Sequence, residues 1–140
     1  MYTVTKEISF EAAHRLFNYT GLCHNIHGHG YKVFIELSTH ELDTRDMVLD
    51  FSKIKTIAKS WIDDNWEHAT LLHYQDPLYQ VLRSHDQRVF NMGNVNPTAE
   101  VMAAMLYHEV FSQINQSLIA VKLKSVTVYE TATSFATYSE

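Results

Sequence analysis

The chain is poor in residues that staple or break folds: its 140 residues include one cysteine, two prolines and four glycines. A single thiol, Cys23, rules out an intrachain disulfide and fits a reducing compartment. No apolar run approaches the ~20 residues a membrane span needs. The N-terminus enters a strand-like pattern interrupted by Lys6 and Glu7, unlike the apolar core of a leader peptide. A soluble, cytoplasmic protein is expected. Basic residues are also scarce, 11 against 16 acidic ones, for a formal net charge of −5. That balance argues against a nucleic-acid partner, which rewards a basic face through counterion release. It still allows a few Lys and Arg to converge on an anionic small molecule. With 46% apolar residues, a chain of this size buries about two-thirds of its unfolded surface and needs no staples. No repeat, low-complexity tract or linker divides it, so one domain over 1–140 is expected.

Histidine, by contrast, is abundant, with nine in the chain. The informative stretch is Cys23-His24-Asn25-Ile26-His27-Gly28-His29. Residues i and i+2 of a strand point to one face, so His27 and His29 can aim at one ion. His14 ends an alternating stretch upstream (Ile8, Phe10, Ala12, His14), and an antiparallel hairpin would bring it beside the pair. Three neutral imidazoles with an open fourth position is the ligand set of a catalytic zinc site. A chance His-Gly-His in a His-rich chain is the competing explanation, and strand phase together with the third histidine argues against it.

Residues 2–14 and 30–38 alternate as half-buried strands, with Tyr31, Val33, Ile35 and Leu37 on one face of the second and His29 in phase with them. The connection from about 15 to 26 is long and carries Cys23. After a polar turn from His40 to Asp46, a helix is expected near Lys53–Asn65. Ser52 would cap it, and Ile54, Ile57, Ala58, Trp61 and Ile62 would form its apolar stripe. Residues 66–95 read as irregular, apart from a short helix started by Asp76-Pro77 and running to about Ser84. Asn96-Pro97 repeats that start signal for a helix through about Asn115, burying Met102, Met105, Leu106, Val110 and Ile114. Strands follow. Ile119, Val121 and Leu123 alternate, the phase shifts near Lys124-Ser125, and Val126, Val128 and Glu130 continue, with a last strand from Phe135 to Ser139. The expected class is α+β, an antiparallel sheet with two main helices on one face.

Four segments together resemble a known family: Phe10-Glu11-Ala12-Ala13-His14-Arg15-Leu16, the Cys23 to His29 cluster, Asn96-Pro97-Thr98-Ala99-Glu100 and Val128-Tyr129-Glu130-Thr131. In order and across essentially the whole chain they resemble the 6-pyruvoyltetrahydropterin synthases, most of all the 6-carboxytetrahydropterin synthase branch of queuosine precursor synthesis. Three residues between Cys23 and the His-Gly-His pair is similar to the carboxy branch; animal pyruvoyl enzymes carry a longer spacer. The resemblance implies the tunnelling fold, trimers paired into homohexamers, and active sites at subunit boundaries. It implies His14, His27 and His29 as zinc ligands, Cys23 as the catalytic thiol, His68 as a second acid/base group and Glu130 as the anchor of the pterin ring. One position departs. The family usually has Asp directly before the catalytic histidine, and here that residue is Glu67, whose carboxylate sits about one bond length further out. Segment 73–95 is also longer than in compact members, so no loop contacts carry over there.

Each of these residues also has a plainer explanation. Cys23 could be a small buried hydrophobe or a fourth zinc ligand. Its polar setting beside the expected cation favours a lowered thiol pKa and a general base. Glu67-His68 could be an exposed pair after a helix, and Glu130 a solvated strand-end carboxylate. Yet Glu130 lies in phase with Val126 and Val128, and a buried carboxylate needs donors such as the pterin's 2-amino and N3–H groups. Thr98 and Glu100 could hold the ring or cap the helix. His24, His40, His73, His85 and His108 read as surface or packing residues, and the helix methionines as core.

The implied activity is a zinc-dependent lyase acting on 7,8-dihydroneopterin triphosphate. Triphosphate would be eliminated and the side chain cleaved to give 6-carboxytetrahydropterin and acetaldehyde. Zinc would serve as Lewis acid and template, with Cys23 and His68 exchanging protons on opposite faces of the substrate. The pyruvoyl reaction, which keeps the side chain, is the alternative on the same substrate. A pterin-binding homologue with impaired catalysis, favoured by Glu67, is the alternative of another class. A metal-dependent hydrolase would leave the thiol unexplained and lacks a carboxylate base near the His-Gly-His pair.

Overall fold

The computed structural model describes residues 1–117 and 120–140, with side chains of 115–117 left aside. The chain opens with β1 (Tyr2–His14) and β2 (His27–Thr39), which pair antiparallel along their whole length, Tyr2 opposite Thr39 and His14 opposite His27. Alternation decides which face is covered. Ile8, Phe10, Ala12 and His14 of β1, with Tyr31, Val33, Ile35 and Leu37 of β2, are buried. The intervening Glu7, Glu11 and Lys32 stay exposed on the other face. Phe10 stacks on Tyr31, ring centroids 5.0 Å apart, so the pair that bears the histidines rests on an aromatic layer.

Helix α1 (Phe51–Asn65) starts two residues earlier than its sequence expectation, because Asp50 and not Ser52 caps it. The Asp50 carboxylate accepts from both the amide and the hydroxyl of Ser52 at 2.8 and 2.6 Å. A charged acceptor outcompetes the hydroxyl for the free amides. The interval 66–95 contains two strands that the sequence did not announce, β3 (Thr70–Leu72) and β4 (Val89–Asn91), either side of α2 (Leu78–Ser84). Three residues are too few to display a period of two. They add in parallel beside β1, so the sheet is mixed rather than wholly antiparallel.

Helix α3 (Ala99–Ser117) begins after Thr98, whose hydroxyl accepts from the Val101 amide at 3.3 Å. Asn96-Pro97 is therefore not the start itself, and the Asn96 side chain is left free to bind elsewhere. β5 (Lys122–Thr131) pairs antiparallel with β2 and carries its irregularity where the alternation slips, between the Ser125 and Leu123 partners. β6 (Ser134–Tyr138) folds back on β5. The expected alternation through Ile119 falls outside the described residues. The six strands run β4-β3-β1-β2-β5-β6. Ile54, Ala58 and Ile62 of α1 and Met102, Leu106, Val110 and Ile114 of α3 join the buried faces of β1, β2 and β5 in one core. Among the described residues no helix is long and apolar enough to cross a membrane.

Candidate metal and thiol site

The β1–β2 register assembles the histidines at one end of the sheet. His14 stands opposite His27, and His29 lies one same-face step further along β2, opposite Ala12. Two of the rings, those of His14 and His27, are oriented by a carbonyl behind them. The Nδ1 of His14 donates to the Pro97 carbonyl at 2.7 Å, and the Nδ1 of His27 donates to the Asn25 carbonyl at 2.7 Å. A carbonyl only accepts, so both protons sit on Nδ1 and both Nε2 atoms are bare in the neutral rings. Those two atoms face each other at 3.1 Å. Two lone pairs at that distance call for a cation between them. The Nε2 of His29 is buried without a hydrogen-bond partner, 3.3 Å from the Glu130 carboxylate.

The ligand atoms of His14, His27, His29 and Glu130 all lie within 4.8 Å of one another. Burial lowers the pKa of His14, against the raising effect of the Pro97 bond and the nearby Glu130. Burial likewise lowers that of His29, with Glu130 opposing. Both effects favour the neutral imidazoles a metal requires. Three imidazole nitrogens with one carboxylate suit a borderline divalent ion such as zinc. Glu130 is expected from the sequence as a catalytic and ring-anchoring carboxylate, and its place beside His29 also makes it a candidate ligand. Tyr31, expected only as an inward-facing strand residue, also reaches the site. Its hydroxyl lies 3.2 Å from the His14 Nδ1, and burial pushes its pKa up. Its position in the inward phase of β2 was the available signal.

A cavity of about 240 Å³ opens beside this group, lined by His14, Cys23, Thr98, Glu100 and Glu130. Cys23 is a free, half-buried thiol on a single turn of 3₁₀ helix, Leu22–His24. The Leu16 amide donates to its carbonyl at 2.9 Å. Thr98 and Glu100 belong to the start of α3, and both also face this cavity. The structure thus brings the thiol, the three histidines, Glu130, Thr98 and Glu100 to one place.

Glu67 and His68 lie elsewhere. The Glu67 Oε1 stands 2.7 Å from the His68 Nδ1 and accepts the Glu11 amide at 3.2 Å. Its second oxygen lies 3.6 Å from Lys59 Nζ. The His68 amide donates to the Glu11 carbonyl at 2.7 Å, and its backbone has φ of +55°. That left-handed conformation costs about 1–3 kcal/mol for a residue other than glycine. His68 borders a separate hollow of about 450 Å³, shared with Glu11, Gly28, His29, Gly30 and Thr70. Glu11, Gly28 and Gly30 alternate with Ala12, His27 and His29, so this hollow opens on the face of the β1–β2 pair opposite the metal group.

The chain matches the family described as 6-pyruvoyl tetrahydropterin synthase over residues 3–140. It is 36% identical to a Rickettsia conorii protein named 6-carboxy-5,6,7,8-tetrahydropterin synthase, covering 96% of this chain and 98% of that one. A Haemophilus influenzae protein of the same name is 31% identical, with both chains fully covered. The solved 6-pyruvoyl tetrahydropterin synthase of Caenorhabditis elegans superposes with a TM-score of 0.71 at 26% identity, over 99% of this chain and 95% of that one. The enzyme of that name from Plasmodium vivax, at 17% identity, has the same fold with a TM-score of 0.74, covering 99% and 98%. The tunnelling fold and the family expected from the four motifs are both met.

Proposed function

Since the chain belongs to the 6-pyruvoyl tetrahydropterin synthase family, we propose that it is a zinc-dependent 6-carboxy-5,6,7,8-tetrahydropterin synthase of 7-deazaguanine and queuosine precursor synthesis. It would act as a lyase converting 7,8-dihydroneopterin triphosphate and water to 6-carboxytetrahydropterin, acetaldehyde and triphosphate. The observation that carries this reading is the convergence of two bare Nε2 atoms and the unpartnered Nε2 of His29 beside a free thiol. The names of relatives matched over nearly full length support the carboxy branch.

His14, His27 and His29 would hold the ion. When bound, zinc supplies Lewis-acid polarisation and a template for the substrate's side-chain hydroxyls. The protein's own groups do the rest. Cys23, as thiolate, removes a proton from the side-chain carbon facing the cavity. His68, its Nδ1 fixed by Glu67, exchanges protons through its exposed Nε2. Glu130 accepts from the ring's 2-amino and N3–H groups, with Thr98 and Glu100 bordering the same cavity. Because Cys23 and His68 open on different hollows of one chain, a complete site is proposed to form where copies meet. The expected assembly is a homohexamer of two trimers. A reactive thiol retained for catalysis suits a reducing cytoplasm.

The pyruvoyl reaction remains the second reading, favoured by the name of the C. elegans neighbour. The impaired-homologue alternative rests on Glu67, and the 2.7 Å contact from its carboxylate to His68 supports the catalytic reading over it. Mass spectrometry of products from zinc-loaded protein and 7,8-dihydroneopterin triphosphate, under reducing and anaerobic conditions, tests the assignment. Acetaldehyde with 6-carboxytetrahydropterin is expected. A pyruvoyl product moves the chain to the second reading, and binding without turnover overturns both.

A further inference from the structure

The connection that carries Cys23 is fastened residue by residue as it leaves β1. The His14 ring is held by the Pro97 carbonyl. Arg15 makes a two-pronged ion pair with Asp76, Nε to Oδ2 at 2.6 Å and Nη2 to Oδ1 at 2.5 Å. The Leu16 amide holds the Cys23 carbonyl. The Phe17 amide donates to the Asn96 Oδ1 at 2.8 Å, and the Asn96 Nδ2 donates back to the Phe17 carbonyl at 3.1 Å. The Phe17 ring stacks on the buried His73 at 4.9 Å.

Leu16, the direct support of the thiol turn, is therefore gripped on both sides, at Arg15 by Asp76 and at Phe17 by Asn96. Asp76 is itself buried and also receives the Leu78 amide at the start of α2, so it cannot swing away without releasing two elements. Asn96 precedes Pro97, the residue that orients His14. One dipeptide thus ties a metal ligand and the thiol loop to the same point.

We propose that Asn96 and Asp76 are positioning residues, which set where the Cys23 thiol sits against the three imidazoles by clamping Phe17 and Arg15 around Leu16. The proposal rests on the zinc–thiol reading of the site. Neither residue faces the cavity, so their action is through the loop. Displacing a reacting group by about 1 Å can cost on the order of 100-fold in rate.

Asn96→Ala removes both bonds to Phe17, and Asn96→Asp keeps the acceptor for the Phe17 amide while losing the donor. Asn96 is only half-buried, which makes these variants safer to fold than Asp76→Asn, the companion substitution. Three quantities are read: bound zinc per chain, kcat and KM separately, and the ratio of Cys23 alkylation rates by iodoacetamide with zinc loaded and after chelation. In Asn96→Ala, zinc content and KM are expected to stay within about 3-fold of wild type while kcat falls about 10- to 100-fold. The zinc-dependence of alkylation should shrink towards unity, with Asn96→Asp intermediate. An unchanged kcat and alkylation ratio would overturn the proposal. So would a joint loss of zinc, KM and kcat, which marks a purely structural role. If the wild type turns over no pterin while the alkylation ratio still responds to Asn96, the pterin reading falls and the clamp stands.

Discussion

The carboxylate of Glu67 lies 2.7 Å from the Nδ1 of His68, so the longer side chain at this position reaches the ring that a shorter acid usually serves. The Glu11 amide and Lys59 fix the same carboxylate from behind, while the His68 backbone is held in a left-handed turn. Glu67→Gln keeps an acceptor for the His68 Nδ1 but loses the charge-assisted contact that orients the ring. It is expected to lower kcat by about 10-fold or more, with zinc content unchanged. A wild-type kcat would remove Glu67 from the proton path.

Glu130 can be separated into anchor and ligand. If the three imidazoles suffice for the ion, Glu130→Gln retains zinc near one per chain and raises KM by about 10-fold or more, since a charge-assisted pair of hydrogen bonds is worth about 1.5–3 kcal/mol. Metal analysis beside steady-state kinetics decides it. Zinc loss in Glu130→Gln would make the carboxylate a true fourth ligand, as its position 3.3 Å from His29 allows.

Acid should destabilise the metal-free protein in two steps. Burial lowers the pKa of His14 below its ordinary 6.5, so the unfolded chain binds the extra proton first. This contribution is complete above about pH 6.5 and is lost as pH falls below it. Asp76 follows at lower pH. Burial opposes its ionisation, but the Arg15 and Leu78 hydrogen bonds outweigh that and hold its carboxyl below the usual 3.8. Its contribution is present above that value and lost as pH falls through the lowered one. Thermal melts of chelated protein should show both falls, and His14→Gln should flatten the first. A melt insensitive to pH between 5 and 7 would contradict the His14 assignment.

Phe10→Ala tests the layer beneath the histidines. Phe10 is 2% exposed, stacked on Tyr31 and packed against Trp66. Its loss should cost about 3–5 kcal/mol in urea unfolding and loosen zinc as the β1–β2 end relaxes. A cost below about 1 kcal/mol would show that this layer does not support the site.

What could be read in the sequence was whatever repeats along the chain. The alternation of Ile8, Phe10, Ala12 and His14 against Tyr31, Val33, Ile35 and Leu37 announced the strand pair, and the slip at Lys124-Ser125 announced the irregularity in β5. The histidine group followed from that phase alone. Contacts between distant segments were not legible. Thr70–Leu72 and Val89–Asn91 are too short to show a period, so their parallel addition to β1 stayed hidden. Asp76 and Asn96 looked like helix caps because both types favour that position, and only the fold shows them holding Arg15 and Phe17. Asp50 displaced Ser52 as the cap for a related reason, since two polar residues either side of Phe51 compete and the stronger acceptor wins.

The most direct test of the thiol-beside-metal site is turnover of 7,8-dihydroneopterin triphosphate by zinc-loaded Cys23→Ala, with products followed by mass spectrometry and zinc counted in the same sample. The variant is expected to bind zinc like the wild type and release neither acetaldehyde nor triphosphate. Full turnover with zinc in place would contradict the assignment of Cys23 as the base.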